Sequence, residues 1–270
     1  MLLGERHDVP EDHRWQLDVL AGLLARRARV QVGFEMFPRD EQPVLDAWSR
    51  GELSVEELST RTRWRQAWGP SADSVLPLLY FTRRHHLPTL ALNVPRALTA
   101  RVARSGWASI PTAERAGVGD PAIPDAAYVD RLVATYAEHA CRPASDVRDT
   151  PAAARFIEAQ LLWDRAMAEV LARAARSSGD GLVVGLAGYG HLEDRGGIPR
   201  QLAALGIDDV VVLLPWDTTR ACDGLRPGVA DVVFGITPPA AEVPAPTRHA
   251  CPPAAAAQPS RPSPRAPLPR

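Results

Sequence analysis

The chain of 270 residues has no lysine, so all 31 of its Lys-plus-Arg residues are arginine. That excludes a lysine Schiff base and the phosphate-gripping lysine of a P-loop. Cysteine is scarce too: Cys141, Cys222 and Cys251 are widely spaced and form no C-x-x-C pair, which speaks against a disulfide framework or a zinc knuckle. No run of 18 apolar residues occurs, so no transmembrane helix is expected, and no secretory signal segment is evident. Charge of one sign does not dominate. The net charge is −1, and no basic stripe marks a nucleic-acid or anionic-membrane partner.

What is present reads as alternating strands and helices. Apolar runs end at Leu3, at Val30–Phe37, at Pro88–Val94, at Gly181–Ala187 and at 209–216, with a sixth candidate over 229–236. Between them lie helical patterns over 11–29, 38–50, 74–86, 95–105, 125–141, 151–176 and 198–205, and Ser54 with Glu57 forms a capping-box pattern. Strands apolar on both faces, separated by helices, predict an α/β domain with a mainly parallel sheet and helices on both faces. The helix-rich stretches 40–87 and 95–180 predict a helical cap or side layer. This domain is expected over 1–236. From Thr237 onward, 11 of the last 34 residues are proline, and a disordered Pro/Ala-rich tail over 237–270 is expected.

Two similar signatures stand at strand ends 184 residues apart: Gly4-Glu5-Arg6-His7 and Gly188-Tyr189-Gly190-His191. A third apolar run ends on Glu35. In an open α/β sheet, ligands bind outside the C-terminal ends of the strands, so His7, Glu35 and His191 are expected to meet there. Two imidazoles and a carboxylate suit a divalent metal with an open position, with Glu5 or His13 as general base or supporting group. Trp64 and Trp68, four residues apart, read as core or as an aromatic interaction face. His85-His86 read as a solvated helix end. Leu2 and Leu3 form only the last part of a strand, so a longer N-terminus, with any export signal, is expected.

Several ordered motifs together resemble the ChaN-like haem-binding uptake family of the Tiki/TraB superfamily. They are Leu2-Leu3-Gly4-Glu5 with His7-Asp8, His13 and Gln16; Gly33 to Phe37 with Gln42; Gly51; Trp64 to Gly69; Asn93-Val94-Pro95-Arg96; Gln160, Asp164 and Met167-Ala168; and Ala187-Gly188 with Gly190-His191 through Gly197-Ile198-Pro199. The resemblance covers residues 1–216. It implies haem binding in iron uptake, often at the cell envelope, with haem held between the subunits of a homodimer. Haem needs an axial iron ligand, an apolar slot and cations for its propionates, for which Tyr189, His191, His7 and Arg96 are the candidates. The wider superfamily implies the alternative already drawn from the residues, a metal-dependent hydrolase or protease built on the paired G-x-x-H motifs and Glu35.

Overall fold

The computed structural model describes residues 1–26 and 29–237. Six parallel strands form one sheet in the order β3-β2-β4-β1-β5-β6. They are β1 (Leu2–Glu5), β2 (Val30–Pro38), β3 (Thr89–Asn93), β4 (Leu182–Gly188), β5 (Val212–Asp217) and β6 (Val232–Ile236). The helices are α1 (Pro10–Ala25), α2 (Gln42–Ser49), α3 (Val55–Thr62), α4 (Trp64–Trp68), α5 (Leu76–Arg84), α6 (Arg96–Ser105), α7 (Ala126–Ala140), α8 (Ala144–Val147), α9 (Pro151–Ser177) and α10 (Ile198–Ala204). Residues from Pro238 on, where most of the expected tail falls, lie outside the described residues.

Local sequence accounts for the main helix starts. Ser54 accepts the amide of Glu57 while the Glu57 side chain accepts that of Ser54, a complete capping box. Asp125 caps α7 through Tyr128, and Thr150 caps α9 with Pro151 in the first turn. Proline also opens α1, followed by Glu11 and Asp12 at the positive end of the helix dipole.

The two faces of the sheet bury different partners. On one, Leu3, Val32, Phe34 and Phe37 pack with Trp15 and Leu20 of α1, Trp48 of α2, Trp64 of α4 and Leu79 of α5. The helices of residues 40–87 therefore complete the main core. On the other face, Leu2, Val183 and Leu214 pack with Met167 and Leu171 of α9 and Leu202 of α10. Helices α7 and α8 stand further out, with small clusters of their own around Val133 and Val147.

Strand β4 lies between β1 and β2. Its register pairs Gly4 with Ala187 and Glu5 with Gly188 on one side, and Phe34 with Leu186 on the other. The two G-x-x-H signatures thus end neighbouring strands, and Glu35 stands on the third strand of the trio. The direction in which successive strands are added reverses around β4, with β1–β2–β3 running one way across the sheet and β4–β5–β6 the other, which opens a crevice at the strands' C-terminal ends. Glu35 does not close its strand, as the sequence pattern had it: β2 continues to Pro38 after a register irregularity beyond Phe34.

Leu3 is wholly buried in the middle of the sheet. Leu3→Ala is expected to destabilise the protein by about 2–5 kcal/mol, the usual range for a buried leucine, seen as a lower midpoint in urea unfolding with an unchanged slope.

Candidate functional site

The crevice is built on three short segments. The first follows β1. Glu5 is buried, and its carboxylate contacts His7 Nδ1 at 2.8 Å, His13 Nε2 at 3.3 Å and the amide of Gln16, which donates at 3.1 Å. Burial alone would raise the Glu5 pKa, but the hydrogen bonds from His13 and His7 outweigh it and hold the carboxyl well below the usual range. Helix α1 supplies His13 and Gln16 from a buried polar stripe beside its apolar one. A third member, Asp12, holds Arg6 bidentately at 2.7 and 2.9 Å. Glu5 and His13, expected as base or support, thus form the floor beneath His7.

His7 itself reaches the surface, its side chain 42 % exposed. Burial of the ring pulls its pKa down, but the hydrogen bond to Glu5 and the charges of Glu35, Glu5 and Asp8 prevail and lift it to about 9. The ring lies edge-on to Trp68, with centroids 4.8 Å apart.

The second segment carries Glu35, whose Oε2 accepts the amide of Gly188 at 2.6 Å. Its Oε1 lies 3.6 Å from His191 Nε2. A Cβ at 188 would stand 2.8 Å from His7 Nε2, so any other residue there would push the imidazole from its place. Asn93 buttresses this strand by donating to the Glu35 carbonyl at 3.2 Å.

The third segment leaves β4 as a 3-10 turn over Tyr189–His191. His191 is buried, with Nδ1 2.7 Å from Asp164 of α9 and its ring edge-on to Trp163. Asp164 in turn accepts the hydroxyl of Tyr128 at 2.6 Å. This pair holds its proton tightly. Complete burial pushes Asp164 up, while the Glu35 and Asp164 carboxylates hold His191 up against the burial that would lower it. Burial and Asp164 keep the Tyr128 phenol protonated well above its ordinary value, as a permanent donor.

Beyond His191 the loop is set firmly. Asp194 and Arg195 both adopt left-handed backbone, at φ 54° and 59°. Arg131 of α7 holds Asp194 at 2.8 Å, Arg226 also contacts it, and Arg195 pairs with Asp231 at 2.7 Å. At Gly197 a Cβ would collide with the His191 carbonyl and stand 2.8 Å from Asp164.

Tyr189 is half-buried and borders a cleft of about 300 Å³ with His7, Arg131, Thr135, Gln160 and His191. Its hydroxyl makes no hydrogen bond among the described residues. Burial and the nearby Glu193 carboxylate push its pKa up to about 12.

The structure therefore gathers His7, Glu35 and His191, with Glu5 and His13 beneath His7 and Tyr189 at the rim. Arg96 does not join this cleft. It is exposed at the start of α6, 5.5 Å over the Trp68 ring, and lines a separate hollow together with Trp68. His85 and His86 lie before β3, at the other end of the sheet, as a solvated helix end would. Trp64 is core, and Trp68 is half-buried and donates to the Met36 carbonyl at 3.2 Å. Sequence reasoning left Tyr128 and Trp163 out of the site altogether. Asp164 figured there only as a motif residue, though an aspartate amid the apolar positions of a long helix was a signal to follow.

An open parallel α/β sheet with a polar crevice at its topological switch is the architecture of a small-ligand site. The chain belongs to the haem-binding uptake family of the Tiki superfamily, ChaN, whose pattern matches residues 1–202. Among solved structures it is similar to ChaN of Campylobacter jejuni, which binds haem cofacially. That match has 20 % identity, a TM-score of 0.64, and covers 86 % of this chain and 85 % of that one. At such identity the likeness is one of fold. More distant are an erythromycin esterase mutant, EreC, in its open conformation (16 % identity, TM-score 0.45, covering 79 % and 69 %) and the type III effector HopBA1 (11 %, 0.44, 88 % and 87 %). Neither bears on this chain's chemistry. No curated protein matches the chain.

The raised pKa of His7 has a thermodynamic sign. A histidine that binds its proton more tightly when folded contributes stability fully below its unfolded value, about 6.5, and loses it as pH rises through its folded value. Stability is thus expected to fall between pH 6.5 and about 9. His7→Gln should flatten that decline in urea unfolding series, leaving the part due to His191, whose pKa is raised as well. An unchanged pH profile in the variant would refute the assignment.

Proposed function

We propose that the protein binds haem for iron acquisition, with Tyr189 as the axial iron ligand. The observation that carries this is the phenol of Tyr189, standing at the rim of the cleft with no hydrogen bond among the described residues. Tyrosine is an accepted haem ligand, binding as the phenolate. The histidines are poorer donors here. His7 has Nδ1 held by Glu5 and its ring set against Trp68, and His191 has Nδ1 spent on Asp164 and Nε2 turned to Glu35. The remaining residues fit haem in chemical type. Leu132 and the Tyr128 ring give apolar surface, and Arg6 and Arg131 add positive charge to the lining. When bound, the group would supply a redox-active iron. The chain's own part is to hold it, with the Tyr189 turn fixed by Glu35 and Asp164. The high phenol pKa means that iron must displace a firmly held proton, which makes capture weaker as pH falls.

A cleft of about 300 Å³ is at the small end for an organic ligand and open on one side. A homodimer with its two clefts face to face would cover bound haem from both sides.

One observation favours a second reading, metal-dependent hydrolysis on His7, Glu35 and His191. Each imidazole is backed at Nδ1 by a carboxylate, the arrangement that orients metal-ligating histidines. Against it, both rings hold their protons tightly. Among the described residues, no three His, Cys, Asp or Glu side chains are placed to hold a metal ion.

The test is a Soret titration of the purified protein with haem. Wild type is expected to give a tyrosinate-type spectrum, Tyr189→Phe to lose it with at least a tenfold weaker Kd, and His7→Gln to retain it. Loss on His191→Gln with Tyr189→Phe unaffected would move the ligand to histidine. Bound divalent metal after purification, with chelator-sensitive cleavage of a peptide or ester, would favour the hydrolase instead. Light scattering with and without haem checks the dimer.

A further inference from the structure

Behind the His7–Trp68 contact lies a second, smaller hollow of about 50 Å³, walled by Met36, Trp64, Trp68, Val94, Arg96 and Trp163. It sits where β2 and β3 end, between α4 and α9. The two cavities are adjacent: Trp68 touches His7, and Trp163 touches His191.

Two walls of this hollow carry a buried donor with no acceptor. The indole Nε1 of Trp64 and that of Trp163 are shut off from solvent and make no hydrogen bond. Trp64 is itself only 1 % exposed. An indole N–H can only donate, so whatever completes these groups is an acceptor. Native proteins leave few buried donors unpaired, and two in the wall of one cavity point to an occupant.

The other polar walls are already satisfied. Thr62 donates to the Leu58 carbonyl, and Asn93 donates to the Glu35 carbonyl and accepts the Val94 amide. The nearest carboxylates are engaged as well, Glu35 with Gly188 and Asp164 with Tyr128 and His191. Charge is supplied by Arg96 alone, whose guanidinium lies over the Trp68 ring. Among the described residues, the unpartnered buried polar atoms of this lining are the two indole donors, and its charge is that of Arg96, a combination that favours an anionic acceptor. The volume is several times the roughly 10–15 Å³ that one water needs, enough for a carboxylate.

We infer that this hollow is a carboxylate-binding subsite, in which the indole N–H groups of Trp64 and Trp163 and the guanidinium of Arg96 receive the two carboxylate oxygens. The carboxylate has two sources, a propionate arm of haem or a free short-chain acid. The first rests on the haem reading above; the subsite itself does not.

The experiment uses the full chain with ¹⁵N-labelled tryptophan, the indole signals of Trp64 and Trp163 being assigned with Trp64→Phe and Trp163→Phe. Sodium propionate is titrated at constant ionic strength, with methyl propionate as the neutral control. Both signals are expected to move saturably with propionate and not with the ester, and Arg96→Gln to weaken binding by about tenfold, as loss of a charge-assisted partner does. If neither signal moves, or the ester moves them equally, the hollow holds water or apolar atoms and the subsite is overturned. Soret titrations then separate the sources. Haem binding about tenfold tighter than haem dimethyl ester, with the difference lost in Arg96→Gln, assigns the propionate arm. Equal binding of the two overturns that source and leaves a free acid as the occupant. No Soret change with either, while propionate still moves the indole signals, sinks the haem reading and leaves the subsite standing.

Discussion

The site hangs on one hydrogen bond, from the amide of Gly188 to the carboxylate of Glu35. It is short, buried and charge-assisted, and it joins the end of β4 to the strand beside it. Strand β4 ends at this amide, and the turn that follows carries both Tyr189 and His191. The same carboxylate turns its other oxygen to His191. One side chain thus sets where the chain leaves the sheet and what one imidazole faces. Glycine is the residue that permits it, because His7 fills the space a Cβ would need.

Around this bond the two G-x-x-H segments are built to one plan and tuned differently. Each histidine gives Nδ1 to a carboxylate and lies edge-on to a tryptophan: His7 with Glu5 and Trp68, His191 with Asp164 and Trp163. The difference is access. The His7 side chain is 42 % exposed and that of His191 11 %. His7 is the outward cation of the cleft, whereas His191 is a packed strut under Tyr189. Similar sequence signatures at similar strand ends therefore do unlike work, because one opens onto solvent and the other is roofed by α7 and α9.

The sheet was legible in the sequence because its strands are apolar on both faces, a pattern that parallel sheets with two helical layers enforce. The meeting of His7, Glu35 and His191 followed from that, since strand ends in such a sheet share an edge. What remained hidden is long-range and polar. Tyr128 reaches Asp164 across 36 positions of sequence from a helix whose pattern says only amphipathic. Asp164 sits amid apolar residues in the middle of α9, and its purpose appears only once His191 is placed against it. Arg96 follows a strand end, as a site residue should, yet strand ends do not say which wall of the crevice a residue joins, and it stands behind Trp68. The irregularity after Phe34, which carries β2 past Glu35, leaves no mark on the apolar pattern.

The loop between Gly188 and Gly197 has a consequence for how this protein can vary. Both of its ends are glycines pressed against the imidazole or the backbone carbonyl of the site, and its middle is bent through two left-handed residues tied to α7 and to the connection between β5 and β6. Such a loop has no slack. A change of length next to either end would move the imidazole or the carbonyl that the glycines press on, so its length is as much a part of the site as its side chains. Diversification is left to the segments that only touch the cleft from outside, where length and composition can drift without moving the tyrosine.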